Sequence, residues 1–89
     1  MRTKIETEPM TVYQTEVITG NKTSEHYREI YDLAKQFGAQ ASGNYDLSGQ
    51  RPDSNAFNLF QSREDAEEFR QAVFDRGIEN AVYITPLEI

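Results

Sequence analysis

A chain of 89 residues with 37% apolar content has room for one small domain, and most of its apolar side chains are needed for packing; with no cysteine it has neither a disulfide framework nor a thiolate metal site. Nine basic residues against fifteen acidic give a formal net charge of −6, which repels phosphate backbones and removes the counterion release that drives nucleic-acid binding. No apolar run reaches the length of a membrane span and MRTKIETEP lacks the apolar core of a signal peptide, so no membrane role is expected and a cytoplasmic protein is.

Residues 1–9 mix charges with threonines and end in Pro9, which predicts a flexible arm. MTVYQTEVI, Met10 to Ile18, is rich in β-branched and aromatic residues and predicts a first strand, followed by turn chemistry in TGNK. Thr23 or Ser24 then caps a helix in which Tyr27, Ile30, Tyr31, Ala34 and Phe37 recur at three- and four-residue spacing, with Leu33 beside the stripe, until Gly38 stops it. Glu25, Arg28, Glu29, Asp32 and Lys35 form its solvated side. Ala39 to Asp46 reads as a polar edge strand interrupted by Gly43, and LSGQRPDS as a loop.

The clearest unit is AFNLFQSREDAEEFRQAVFDRG, Ala56 to Gly77. A strand over Asn55 to Gln61 runs into Ser62, whose hydroxyl can accept from a backbone N–H at a helix start, and Glu64 and Asp65 complement the dipole of the first turn. Ala66, Phe69, Ala72 and Val73 share one face of the helix, and Gly77 ends it. A short apolar strand, Glu79 to Thr85, is closed by Pro86, leaving residues 87–89 as a tail. Counted back from Gly38 and Gly77 the two helices match, Ala34 with Val73, Ile30 with Phe69 and Tyr27 with Ala66, an internal pseudo-repeat. The order strand, helix, strand, strand, helix, strand predicts one α+β domain over residues 10–86: a ferredoxin-like βαββαβ sandwich, its four-stranded antiparallel sheet carrying both helices on one face. Alternation is read as burying Tyr13, Val17, Phe57 and Leu59 beneath the helices, and as leaving Val12, Gln14, Glu16, Asn58 and Phe60 on the open face.

Catalytic chemistry finds little support in the composition. His26 is the lone histidine, no serine or threonine has a partnered base, the glycines form no phosphate-binding loop, and the carboxylates of the second helix lack the loop that calcium requires. A non-enzymatic protein without metal or cofactor is expected. Glu64, Glu67, Glu68, Gln71 and Asp75 project from one side of the second helix, with Phe74 at its margin. They suit a small regulator or inhibitor that docks on the basic surface of another protein, including one that normally handles nucleic acid, which such a face would mimic.

The chain also resembles the RNA-recognition motif family, in VY opening the first strand, a helix ending FG, a loop containing SG, and AFNLFQSREDAEEF, together covering roughly Val12 to Val73. The resemblance implies the same element order and, by position, base-stacking platforms at Tyr13 and Phe57 for single-stranded RNA. Asn55 stands where that family has a further strand-three aromatic, and Asp53 stands at its usual basic position. A third reading joins two copies into a homodimer through the open sheet face at Val12, Ile18 and Phe60.

Overall fold

Both helices start at a hydroxyl cap and stop at the same glycine-centred turn. The computed structural model describes residues 10–20, 22–46 and 51–88, with backbone alone at 45–46 and 51–54; the expected arm, the tip of the LSGQRPDS loop at 47–50 and the last tail residue lie outside the described residues. Helix α1 spans Ser24–Gln36, and the Thr23 side chain accepts from the His26 N–H at 3.2 Å. Helix α2 spans Arg63–Asp75, and the Ser62 hydroxyl accepts from the Asp65 N–H. At the far end of α1, Ala39 N–H donates to Ala34 O and Gly38 N–H to Lys35 O; at the far end of α2, Ile78 N–H donates to Val73 O and Gly77 N–H to Phe74 O. This is the Schellman arrangement twice over, each with its glycine at positive φ. The pseudo-repeat therefore extends to the way the helices end.

Strands β1 (Thr11–Val17), β2 (Ala41–Asp46), β3 (Arg51–Phe60) and β4 (Val82–Glu88) form one antiparallel sheet in the order β2-β3-β1-β4. With the element order βαββαβ, the chain has a ferredoxin-like α+β fold, with β1 and β3 central. The core lies between helices and sheet: Ile30, Leu33 and Ala34 of α1 and Ala66, Phe69 and Val73 of α2 pack on Val17, Ala56, Phe60 and Val82. Phe60 meets Phe69 with ring centroids 5.4 Å apart, an aromatic contact at the favoured separation. No helix among the described residues is long and apolar enough to cross a membrane.

Register decides which side chains face that core. Tyr13 pairs with Phe60, Thr15 with Asn58 and Val17 with Ala56, so these six share the helix side. Tyr13 and Val17 were expected there. Phe57 and Leu59 were not expected on the opposite face, yet β3 turns Ala56, Asn58 and Phe60 to the helices instead. Burying Asn58 puts a side-chain amide into the interior, and β2 supplies a partner for it. The Ser42 hydroxyl of β2 donates to Asn58 Oδ1, and the Thr15 hydroxyl reaches the Asn58 backbone carbonyl at 3.4 Å.

Two strands outrun their sequence signals. β3 begins at Arg51 rather than Asn55, because its distal end pairs with β2 in a shifted register, Tyr45 with Pro52 and Asp46 with Arg51, beyond an irregularity between Gly43 and Tyr45. β4 continues through Pro86 to Glu88. Ile18 N–H donates to Ala81 O at 3.0 Å, which makes Glu16–Tyr83, Gln14–Thr85 and Val12–Leu87 the hydrogen-bonded pairs and puts Pro86, opposite Tyr13, in a pair that needs no N–H.

Gly38 has φ +97°, and a Cβ there would lie 3.3 Å from the Asp65 carboxylate at the start of α2, so the end of α1 abuts the other helix. At Gly77, φ +66°, an added Cβ meets nothing within 4 Å. Gly77→Ala is expected to lower the unfolding free energy by about 1 kcal/mol and Gly38→Ala by about 2 kcal/mol or more, a ranking that urea denaturation of the two variants checks.

Candidate functional site

Helix α2 buries one stripe, and the larger part of its exposed surface is acidic, with Arg70 half-buried beside Arg63 at one margin. At about 100° per residue, Arg63, Phe74, Glu67, Gln71, Glu64, Asp75 and Glu68 occupy an uninterrupted arc of roughly 140°, all of them exposed. Ser62 fixes where the helix starts, and the buried stripe of Ala66, Phe69 and Val73 sets which residues fall on that arc. Arg63, its one cation, is engaged twice: its guanidinium carbon lies 5.3 Å from the centre of the Tyr13 ring, and Nη1 lies 3.8 Å from Glu67 Oε1. Gln71 Nε2 donates to Asp75 Oδ1 at 2.8 Å. The six residues singled out from the sequence thus share one surface, and Phe74 is 38% exposed at its core-side border.

Sequence reasoning missed what adjoins Phe74. The Schellman turn at Gly77 brings the chain back so that Phe74, Gly77, Ile78, Glu79 and Asn80 line a shallow cleft of 440 Å³. Ile78 also packs on the core. Glu79 is fixed from across the molecule, with Oε2 2.7 Å from His26 Nε2 in the first turn of α1 and side chains 14% and 22% exposed. His26 therefore has a partner that its sequence neighbours do not reveal, because the two residues are 53 positions apart. Among the described residues no group of three His, Cys, Asp or Glu side chains could hold a metal ion.

A second concavity of 450 Å³ runs beside α1, lined by Ser24, Tyr27, Arg28, Tyr31, Asp32 and Asn44. Burial there pushes the Tyr31 phenol above its ordinary pKa, assisted by Tyr27 alongside. Its charges are mixed, and it has no counterpart to the acidic arc.

The open sheet face differs from its expected form. Asn58 and Phe60 are not part of it, since the register with β1 carries both to the helix side, where Phe60 is fully buried. Val12, Gln14 and Glu16 do lie opposite the helices, but Val12 and Gln14 are only 4% and 3% exposed. Tyr13 and Phe57, the two carried-over stacking positions, fall on opposite faces: Tyr13 packs toward the helices beneath Arg63, and Phe57 faces away from them at 4% exposure. Asn55 has structural work of its own. Its Oδ1 accepts from the Thr19 and Gly20 N–H groups and its Nδ2 donates to Glu16 Oε2, tying the turn after β1 to β3. The Asp53 side chain lies outside the described residues.

No protein-family model matches the chain, and no curated protein does.

Phe60→Ala is expected to lower the unfolding free energy by about 3–5 kcal/mol, the penalty of a fully buried ring, where an open-face position would give far less. Asn58 Nδ2 is buried without a partner among the described residues. Asn58→Val should therefore leave stability unchanged or raise it by about 1 kcal/mol, and chemical denaturation monitored by circular dichroism reads both.

Proposed function

We propose that this protein is a non-enzymatic regulator or inhibitor that binds the basic surface of another protein through the exposed side of α2, in the cytoplasm. The observation that carries the reading is the arc itself. Glu64, Glu67, Glu68 and Asp75 line it with only the neutral Gln71 among them, its one cation is already held by Tyr13 and Glu67, and a half-exposed aromatic stands at its edge. Like charges crowded on one helix face reduce helix stability slightly, and they repel nucleic acid while attracting cationic protein surfaces. Long-range attraction steers the encounter, and the desolvated ring at the margin slows separation. A partner that normally grips phosphate backbones presents the complementary charge, which makes nucleic-acid-handling proteins the class to examine first.

The test begins with the partner retained from native extract after nuclease treatment, immobilised for kinetic measurement. Reversing Glu64, Glu67 and Glu68 to Lys should slow association by about tenfold or more at low salt, and added salt should weaken the wild type by a similar route. Phe74→Ala should leave association nearly unchanged and speed dissociation by about tenfold. Undiminished binding of the triple variant at low salt would sink the reading.

A further inference from the structure

Resting on that reading, we infer that the cleft at the end of α2 is an anchor site for one apolar side chain of a basic peptide segment in the partner. The Phe74 ring and Ile78 supply the apolar surface, and at 440 Å³ the cleft lies toward the small end of the roughly 300–1,000 Å³ range of ligand clefts, so it takes a side chain rather than a folded element. Gly77 leaves its middle open, because nothing lies within 4 Å of where a Cβ would be. An anchor inserted there lies beside the Glu79 carboxylate, which lines the cleft, and the acidic arc of α2 adjoins it through Phe74. Arg76 at the cap is the one basic residue between Phe74 and Asn80.

Glu79 is more than a surface charge. His26 Nε2 holds one of its oxygens at 2.7 Å, and its side chain is 14% exposed, so the carboxylate is oriented before any partner arrives. A preset acceptor in a recess whose apolar part is Phe74 and Ile78 favours a ligand in which a leucine-like side chain is followed by arginine or lysine, since the cation then meets the carboxylate without ordering it first. A second copy of this chain offers the wrong sign, its own exposed helix face being acidic, and an acidic peptide or a phosphate backbone would bring like charge to the rim. His26 is on this view a positioning residue that acts through Glu79.

The full-length protein, labelled with ¹⁵N, can be titrated with three probes observed by NMR: acetyl-Arg-Arg-Leu-Arg-Arg-amide, the same peptide with alanine for leucine, and acetyl-Glu-Glu-Leu-Glu-Glu-amide. The leucine peptide should shift the amides from Phe74 to Asn80 and bind about fivefold tighter than the alanine peptide, and the glutamate peptide should leave them unmoved. Phe74→Ala should abolish the preference for leucine over alanine while the salt-dependent binding of both persists. Glu79→Gln and His26→Ala should each weaken the leucine peptide severalfold with the amide spectrum otherwise preserved, and the loss in His26→Ala should disappear when Glu79 is already Gln. Equal binding of the leucine and alanine peptides along α2 would overturn the anchor site and leave the acidic face standing. Equal binding of the glutamate peptide at the cleft would overturn the basic partner class. Failure of every cationic peptide to perturb α2 would count against the protein-binding reading as well.

Discussion

The central strands β1 and β3 are held in one register, Tyr13 opposite Phe60 and Val17 opposite Ala56, and the two faces of the sheet are assigned by it. A shift of one residue would carry Phe60 away from Phe69 and bring Phe57 beneath the helices, exchanging every side chain of β3 between the two faces. The observed register puts the Phe60 ring against the Phe69 ring of α2 and accepts a buried amide at Asn58 as the consequence. Ser42 meets part of that amide's hydrogen-bonding capacity from β2, and a packed aromatic pair outweighs an NH2 group left without an acceptor among the described residues.

The acidic arc depends on the same packing. Because Ala66, Phe69 and Val73 are committed to the core, the phase of α2 is set, and the Ser62 cap and Gly77 turn fix its ends. The carboxylates then have nowhere to go but outward, and Phe74, the residue just past the stripe, is left at the boundary. The return of the chain after Gly77 turns that boundary into a recess, and His26, from the first turn of α1, ties Glu79 at its lip. The candidate surface is therefore built by two helices and a turn, with most of its charge coming from α2 and the rest from Glu79.

Much of this was legible in the sequence because it is local. Hydroxyl caps, glycine stops and helical spacing act over a few residues, so both helices, the element order and the acidic face follow from composition and period. What was not legible depends on partners distant in the chain. The parity of β3 could not be read from AFNLFQ, where apolar residues occupy both alternations; it needs the pairing with β1 and the hydroxyl of Ser42 on a third strand. Pairing likewise extends β3 back to Arg51 and β4 past Pro86, against the local turn and breaker signals. The bond between His26 and Glu79 joins a helix start to a loop 53 residues away, and no periodicity marks it.

Pro86 has an effect beyond its own strand. It lies on the sheet's outer edge, and in its pair with Tyr13 the missing N–H is one that would have pointed away from the sheet. A further strand arriving along β4 would find an acceptor without the neighbouring donor halfway along the ladder. At the other edge the register shift between Gly43 and Tyr45 breaks β2 into short runs. Both margins of the four strands described are thus poor templates for edge-to-edge pairing with another chain, through backbone geometry as well as charge.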